Sequence, residues 1–506
     1  MKASVTAHRD YRISTIDDRV YGAFLEHLGR AIYTGIYEPG HPTSDPVGMR
    51  GDVAQLVRDL KVPVVRYPGG NFVSAYNWED GIGPRESRPT RLDLAWHTSE
   101  SNAVGVHEFA DWCQSVDAQM MLAINLGSRG LDEARNFVEY VNGPTGSHWG
   151  DLRKKNGRAE PFGVRHWCLG NEMDGPWQVG HKTAHEYGRL ANEVAKTLRA
   201  FDKSLELIVC GSSNSDMATY PEWERVVLEH TYDSVDHISL HMYFANRAKN
   251  TANYLALNHK LDNYISAVAS TIEFVRASKR SRKTVTISFD EWNVWYHSNA
   301  QDREILGGAK GWPHAPRLLE DAYNFEDVLQ VGCILNTFIR RSDVVKIACI
   351  AQLVNVIAPI MTEPKGAAWR QTIYYPYYFA SRYGRGVALR LAVKAPGYDA
   401  DVADNVPYLD IYGVYDENAG TLTFFAVNRH GEEALDLALD LQGFGAARLI
   451  DHQVMAGASL EATNTRENPD AVTPRKGSRA AVSDNTLTAK LPPYSYQLIR
   501  LSVGKA

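Results

Sequence analysis

Residues 165–210, RHWCLGNEMDGPWQVGHKTAHEYGRLANEVAKTLRAFDKSLELIVC, form the stretch that decides the fold. The apolar run at 165–170 predicts a buried strand, and the run at 205–210 predicts a second one. Between them, Thr183–Phe201 repeats apolar residues at helical spacing. A strand, a helix and another strand in this order predict a right-handed parallel βαβ unit.

The same alternation recurs from residue 18 to residue 385. Apolar, β-branched runs predict eight strands: Val20–Leu25, Val62–Tyr67, Met121–Leu126, Arg165–Gly170, Leu205–Cys210, Val235–Met242, Thr284–Phe289 and Lys346–Leu353. Helical periodicity predicts helices at Asp52–Leu60, Val106–Val116, Leu131–Val141, Thr183–Phe201, Trp223–His230 and Glu320–Phe338. Eight βα units predict a (β/α)8 TIM barrel, an α/β fold with long loops after its strands. An open doubly wound sheet is the alternative, but no G-x-G-x-x-G motif follows the first strand.

The chain changes character after residue 386. Short alternating runs separated by Gly, Asn and Asp predict a C-terminal all-β sandwich, jelly-roll-like, over residues 386–506. Residues 1–17 also have the pattern of a strand and are expected to complete this sandwich. The polar segment Ala456–Asp484 is expected to be a long mobile loop.

Composition restricts the class of protein. The 506 residues carry 54 Lys and Arg against 60 Asp and Glu, a formal net charge of −6. A mildly acidic chain lacks the basic footprint that nucleic acid or an anionic membrane requires. No apolar run has the length of a signal peptide or of a membrane helix, so we expect a cytoplasmic protein. The five scattered cysteines are expected to be buried, reduced thiols.

Polar side chains gather at the predicted C-terminal ends of the barrel strands, which face the active site in this fold. They are Glu26, Arg66, Asn71, Asn125, Asn171, Glu172, His241, Tyr243, Glu291, Gln352 and Asn355. Carboxylates and amides with few cations indicate a site that binds hydroxyl groups rather than phosphate. Sugars are therefore the expected ligands.

Two glutamates are the candidates for chemistry. Glu172 follows the fourth strand in WCLGNE, and Glu291 follows the seventh in ISFDEWN. Glycoside hydrolysis needs one protonated and one ionised carboxyl group, and a gap of about 5–5.5 Å permits a covalent glycosyl-enzyme. Arg66 is expected to favour the ionised form of Glu291, and Tyr243 is expected to donate to Glu291 and hold it still. With Asn171 placed to bind the neighbouring sugar hydroxyl, we predict that Glu172 is the acid/base and Glu291 the nucleophile.

Other interpretations of these residues remain open. Two buried glutamates paired with Arg would have a purely structural role. A metal site is less favoured, because H-E-x-x-H is absent and His241 has no second His or Cys at ligand spacing, so we expect no metal and no cofactor. Trp96, Trp177 and Trp295 either stack on sugar faces or simply pack.

Longer strings around these residues resemble glycoside hydrolase family 51, the α-L-arabinofuranosidases. The strings are FLEHLGR at 24–30, RYPGGNF at 66–72, YNW at 76–78, WCLGNEMDGPW at 167–177, DEWNVWY at 290–296 and AQLVN at 351–355. The resemblance spans the barrel from about residue 18 to 385, and the tail fits the sandwich of the family. One departure is Met242, where the family pattern leads us to expect Gln.

The resemblance implies a retaining, metal-free hydrolase that removes terminal α-L-arabinofuranosyl groups from arabinoxylan, arabinan or their oligosaccharides. It assigns the same roles to Glu172 and Glu291. The furanose hydroxyls would then be held by Glu26, Asn71, Asn171, Tyr243 and Gln352. Arg66, His241 and the three tryptophans would support them. The resemblance also implies a homo-oligomer, with a hexamer expected.

Two other functions fit the residues less well. An endo-β-glucanase or a β-xylosidase would use the same barrel and the same pair of acids. A non-catalytic carbohydrate-binding protein would use the sandwich as a lectin-like domain, but the two glutamates in their motifs argue against it.

Overall fold

Eight parallel strands close into a barrel. In the computed structural model, which describes residues 1–308 and 311–504, these strands are Gly22–Phe24, Val64–Tyr67, Gln119–Ala123, His166–Leu169, Glu206–Cys210, His237–Phe244, Thr286–Val294 and Val345–Ala351. Each strand pairs with the next one along the chain, and the eighth pairs with the first. The predicted TIM barrel is confirmed.

All eight barrel strands differ from their predicted bounds at one end or both, and the first, sixth and seventh illustrate the reasons. The sixth strand continues to Phe244 and the seventh to Val294, so that Tyr243 and Glu291 lie within strands rather than after them. Polar side chains that point into the barrel interrupt the apolar pattern without ending the strand. The first strand is shorter than predicted, because a 3-10 helix at Asp18–Tyr21 occupies the residues before it.

Helices surround the barrel. Their bounds are Gly51–Leu60, Val106–Ser115, Leu131–Asn142, His148–Lys155, Ala184–Phe201, Glu222–Thr231, Thr251–Leu255, Leu257–Ser278, Asn299–Gly308, Phe325–Arg340 and Tyr374–Tyr383. All six predicted helices are present. The one predicted from Glu320 begins at Phe325, because the Asn324 side chain caps it by accepting a hydrogen bond from the Asp327 amide at 3.1 Å. The long helix Leu257–Ser278 was not predicted.

The all-β region is one hydrogen-bonded sheet folded over an apolar core. Its strands are Lys2–Thr15, Val387–Lys394, Leu409–Asp416, Thr421–Asn428, Leu435–Gln442, Arg448–Met455, Arg475–Lys476, Ala480–Ser483, Thr486–Leu491 and Ser495–Ser502. Lys2–Thr15 runs parallel to Leu435–Gln442 and antiparallel to Val387–Lys394, which joins the two halves. Side chains of both halves, such as Leu437 and Phe424, pack in the same core. The predicted sandwich, completed by the N-terminal strand, is confirmed, and its exact boundaries stay predictions.

The segment Ala456–Asp484 differs from the long loop predicted there. It contributes two short strands to the sheet, and Val472 is buried. The Asn464 side chain fixes Val472 by bonding both its amide and its carbonyl. Hydrogen bonds between the backbone and one amide side chain leave no periodic pattern in the sequence. The ordered structure of this segment was therefore not predicted.

Short elements complete the description. Two-stranded hairpins join Arg91–Asp93 to Thr98–Glu100, Ile360–Thr362 to Ala368–Arg370, and Gly397–Ala400 to Ala403–Pro407, and 3-10 helices lie at Asn71–Ala75, Trp78–Gly81 and Arg85–Ser87. The five cysteines are buried and free, as predicted. Within the two described ranges, no helix has both the length and the apolar character needed to cross a membrane.

Candidate active site

A cavity of about 590 Å³ opens at the C-terminal end of the barrel. Nine of the twelve predicted site residues line it: Glu26, Asn71, Trp96, Glu172, Trp177, Tyr243, Glu291, Trp295 and Gln352. The other three, Arg66, Asn171 and His241, are buried below its floor, and each bonds to a residue that lines it. The strand ends therefore bring the whole predicted set together.

Glu291 is held by two donors from neighbouring strands. Arg66 Nη1 donates to Oε1 at 2.6 Å, and the Tyr243 hydroxyl donates to Oε2 at 2.8 Å. Arg66 Nη2 donates to Asn171 Oδ1 at 2.6 Å, which links the second, fourth and seventh strands. Charge-assisted bonds of this length fix the orientation of a buried carboxylate. The expected partners of Glu291 are thus both present.

Glu172 lies opposite, immediately after the fourth strand. Its Oε1 faces His241 Nδ1 at 2.9 Å, and its Oε2 accepts from Trp177 Nε1 at 2.7 Å. The backbone of Glu172 has a φ of 43°, a left-handed conformation that is unusual for a residue with a side chain. Such strain at a site residue is typical of functional positions.

His241 connects the acids. Its Nδ1 lies 3.6 Å from Glu291 Oε2 as well as 2.9 Å from Glu172, and its Nε2 bonds Asp290 Oδ1 at 2.8 Å. Burial by itself lowers the pKa of His241, but the charge of Glu291 and the hydrogen bonds to Asp290 and Glu172 raise that pKa to about 10. At neutral pH the imidazole is therefore a cation that donates from both nitrogens.

Asp290 is a site residue that the sequence analysis missed. It is 1% exposed and bonds His241 from the opposite side to Glu172. Adjacent strand residues normally point to opposite faces, so Asp290 beside Glu291 was not expected in the lumen. The pairing register shifts between Ser288 and Glu291, and this β-bulge lets both acids approach His241. The only indication in the sequence that Asp290 belongs to the site was its position directly before Glu291.

The two catalytic candidates lie close enough to act on one atom. A carboxylate oxygen of Glu172, one of Glu291 and a ring nitrogen of His241 all lie within 4.8 Å of one another. The same geometry would allow three metal ligands. In the structure these three groups contact one another, with a hydrogen bond between His241 Nδ1 and Glu172.

Glu26 also lines the cavity. Its Oε1 accepts from the Phe72 amide at 2.8 Å and from Trp96 Nε1 at 3.0 Å, and Gln352 Nε2 lies 3.4 Å from Oε2. Burial and the nearby charge of Glu291 raise the pKa of Glu26 to about 8. Gly70 permits this packing, because a Cβ there would lie 2.3 Å from Oε2. Glu26 is accordingly protonated at neutral pH.

The three tryptophans all border the cavity but have different contacts. Trp96 and Trp177 donate their indole N–H groups to Glu26 and Glu172. Trp295 packs edge-on against Tyr243, with ring centres 5.5 Å apart. Met242, the departure noted in the sequence, also lines the cavity. Two of the indoles are therefore positioned by polar contacts and not only by packing.

Comparison with known proteins places these features in a family. Residues 56–263 match the family model described as the α-L-arabinofuranosidase 1 domain, and residues 290–495 match that of the α-L-arabinofuranosidase C-terminal domain. Proteins of Halalkalibacterium halodurans and Bacillus subtilis, both named intracellular exo-α-(1→5)-L-arabinofuranosidase, are 53% identical, with 99% of this chain and of theirs covered. The chain belongs to the α-L-arabinofuranosidases of glycoside hydrolase family 51.

A solved structure of the family has the same architecture. A family 51 α-L-arabinofuranosidase from Bifidobacterium longum superposes with a TM-score of 0.94 at 42% identity, covering 98% of this chain and 99% of that one. The predicted resemblance to family 51 is confirmed. The two regions matched by family models contain every predicted site residue except Glu26.

The raised pKa of Glu26 predicts a pH-dependent effect of Glu26→Gln on stability. Between pH 4.5 and about 8 the folded protein keeps a proton on Glu26 that the unfolded chain loses, so rising pH destabilises the wild type. Gln removes this cost. We expect the melting temperature of the variant, relative to wild type, to rise from pH 5 to pH 8 and then level off in differential scanning calorimetry.

The matched control is Glu86→Gln, at an exposed position outside the cavity. If the difference in melting temperature between Glu26→Gln and wild type stayed constant from pH 5 to pH 8, the environment described for Glu26 would be contradicted.

Proposed function

We propose that the protein is a retaining, exo-acting α-L-arabinofuranosidase in which Glu172 is the acid/base and Glu291 the nucleophile. One observation carries the proposal: oxygens of the two carboxyl groups lie within 4.8 Å of each other at the floor of an open cavity. Retaining glycosidases use a separation of about 5–5.5 Å, whereas inverting enzymes keep about 6.5–9.5 Å to accommodate a water. The spacing supports double displacement.

In the first step a Glu291 oxygen attacks the anomeric carbon of the arabinofuranosyl group. The bond to the leaving oxygen breaks, and Glu172 gives that oxygen its proton. The product is a covalent arabinosyl ester of Glu291 and a free alcohol. In the second step Glu172 takes a proton from water, the water oxygen attacks the same carbon, and Glu291 leaves as a carboxylate. Two inversions give net retention.

The environments of the two acids support this division of roles. The guanidinium of Arg66 and the hydroxyl of Tyr243 both donate to Glu291, which suits a group that begins and ends the cycle as a carboxylate. Glu172 receives one neutral donor, the Trp177 indole, and shares the cation of His241 with Asp290.

The residues predicted to bind the furanose surround the carboxylates. Asn171, which directly precedes Glu172, bonds Asn71, and Gln352 lies beside Glu26 in the cavity wall. A protonated Glu26 has both a donor and an acceptor, so it can donate a hydrogen bond to a sugar hydroxyl or accept one from it. We propose that these four residues and Tyr243 hold the hydroxyl groups of the terminal arabinofuranosyl unit.

Finer properties follow as part of the same proposal. The relatives at 53% identity are named for exo-α-(1→5) activity and as intracellular. We propose that this protein likewise acts in the cytoplasm, on the non-reducing ends of α-(1→5)-linked arabino-oligosaccharides, with arabinan and arabinoxylan fragments as the source. A homo-oligomer, the absence of a metal or other cofactor, and the domain limits 18–385 and 386–506 stay predictions.

A substrate panel with product analysis tests the function. We expect hydrolysis of 4-nitrophenyl α-L-arabinofuranoside and of α-(1→5)-arabinobiose, with α-L-arabinofuranose as the first anomer seen by proton NMR before mutarotation. Preference for a 4-nitrophenyl β-xylopyranoside or for internal cleavage of β-glucan would support the alternative enzymes instead. First release of the β-anomer would exclude double displacement.

Glu291→Ala should reduce turnover of the aryl arabinofuranoside by about 10³-fold or more, because both steps pass through its ester. Added azide should restore turnover by direct attack and give the arabinosyl azide with inverted configuration. Circular dichroism and the melting temperature check that the variant is folded. Near-wild-type turnover in a folded Glu291→Ala variant would overturn the nucleophile assignment.

Glu172→Ala should slow hydrolysis of the disaccharide by about 10²–10⁴-fold and of the activated aryl substrate less, because a good leaving group needs no proton. Azide here attacks the ester of Glu291, so the arabinosyl azide should have retained configuration. The opposite configurations expected from the two variants distinguish the roles. An inverted azide from Glu172→Ala would reverse the assignment.

A further inference from the structure

A second cavity, of about 480 Å³, lies between the barrel and the sandwich. The end of helix Phe325–Arg340 borders it on the barrel side, and strands Val387–Lys394 and Leu409–Asp416 border it on the sandwich side. We call it the interdomain cavity. It shares no lining residue with the catalytic cavity, and the proposed mechanism uses none of its side chains.

The interdomain cavity exists because the two sandwich strands separate. In the described chain they pair at only two positions, Ala388 with Val414 and the pair next to it. Their continuations meet again where the Tyr408 amide donates to the Pro396 carbonyl at 2.9 Å. Between these two points the sheet is open, so the opening is part of the sheet itself.

Arginine side chains dominate the walls of the interdomain cavity. Its charged residues are four arginines and two aspartates: Arg340, Arg341, Arg390 and Arg429, with Asp343 and Asp410. His259 adds no charge at neutral pH, because burial and the charges of Arg429 and Arg340 lower its pKa. The lining therefore has an excess of two positive charges, which a bound dianion would neutralise.

Two of the four arginines have N–H groups available for a ligand. Arg429 and Arg341 are already paired with carboxylates, at 2.6 and 3.3 Å. Arg340 lies 3.6 Å from Asp410 and donates no side-chain hydrogen bond within residues 1–308 and 311–504. Arg390 is exposed and has neither an ion pair nor a side-chain hydrogen bond to any residue in those ranges. Both guanidinium groups are free to bind an anion.

The Tyr412 hydroxyl is a buried donor at the same cavity. Tyr412 is 3% exposed, and no residue that the structure describes bonds its oxygen. The Arg340 guanidinium lies over its ring, 5.9 Å from the ring centre. Burial raises the pKa of Tyr412, and the charges of Arg340 and Arg390 oppose that rise, so both guanidinium groups lie near this hydroxyl. A buried hydroxyl without a partner destabilises the folded protein unless a ligand bonds it.

A phosphate monoester matches these donors. It is largely a dianion at neutral pH, because its second pKa is about 6, and its three terminal oxygens accept hydrogen bonds from guanidinium and hydroxyl groups. A dicarboxylate carries its two charges at separate points, whereas these three donors lie close together. The cavity is larger than a phosphate group, and Leu391, Val393 and Ile411 give it an apolar wall for the organic part of the ester.

We propose that the interdomain cavity binds a small phosphate monoester through Arg340, Arg390 and the Tyr412 hydroxyl. Arg340 belongs to the barrel and the other two residues to the sandwich, so the ligand joins the two regions. A ligand that binds the folded protein alone raises the melting temperature. The site is separate from the proposed hydrolysis, and the failure of either proposal leaves the other standing.

Calorimetric titration of the full chain tests the ligand class with three probes: phenyl phosphate, inorganic phosphate and succinate. We expect phenyl phosphate to bind with a Kd below about 1 mM and to raise the melting temperature. Inorganic phosphate lacks the group that contacts the apolar wall, and succinate separates its charges. Each should bind at least about fivefold more weakly.

Arg340→Met and Arg390→Met keep an apolar stem and remove the donors. Each should raise the Kd for phenyl phosphate by about tenfold, as the loss of one charged hydrogen bond predicts. Arg390 is exposed and unpaired in the described chain, so its variant is expected to fold as wild type does. Arg448→Met is the matched control, because Arg448 is an exposed arginine of the sandwich that does not line the cavity. It should leave the Kd within about twofold of wild type.

Tyr412→Phe distinguishes a binding role from a structural one. The Kd for phenyl phosphate should rise by about fivefold, because one neutral hydrogen bond is lost. The melting temperature without ligand should stay the same or increase, because the variant removes a buried hydroxyl that has no partner in the described structure. A structural role would give the reverse, a lower melting temperature with an unchanged Kd, and would remove Tyr412 from the site.

Three results would overturn the proposal. Absence of phenyl phosphate binding at concentrations up to about 10 mM would exclude the site. Wild-type affinity in both Arg340→Met and Arg390→Met would show that the probe binds elsewhere. Affinity for inorganic phosphate or succinate equal to that for phenyl phosphate would refute the assignment of a phosphate monoester.

Discussion

Four buried carboxyl groups lie near one another, Arg66 and His241 are cations that bond three of them, and the rest of the site depends on how this charge is balanced. Glu26, Glu172, Asp290 and Glu291 are each at most 9% exposed. Like charges in a poorly hydrated site repel strongly, so they cannot all be ionised without compensation. Arg66 and His241 supply two positive charges, and the raised pKa of Glu26 removes one negative charge at neutral pH.

This balance has a consequence for the proposed chemistry. The transition state of glycoside hydrolysis resembles an oxocarbenium ion and carries positive charge on the sugar. The Glu291 carboxylate lines the cavity, where it can stabilise that charge as it forms. The cations lie below the carboxylates and bond to them from the buried side, so the face presented to the sugar is the negative one.

Much of this could be predicted from the sequence because barrel topology sends strand ends to one place. Polar residues at the ends of apolar runs identified nine of the twelve predicted residues, the other three being tryptophans, and all twelve lie at or just below one cavity. Asp290 was not predicted, because a β-bulge breaks the regular alternation of side chains between the two faces of the strand.

The position of His241 suggests how the site keeps its charge constant through the proposed cycle. Before reaction Glu172 holds the proton and Glu291 is the anion; in the covalent intermediate Glu291 is an ester and Glu172 is the anion. His241 Nδ1 lies 2.9 Å from Glu172 and 3.6 Å from Glu291, so the cation faces one carboxylate in each state. Negative charge moves by less than 5 Å around a fixed positive centre, and neither state leaves a buried charge unpaired. Asp290, on the far side of the ring, keeps the imidazole charged throughout, which is a physical reason for a third acid that takes no part in bond making.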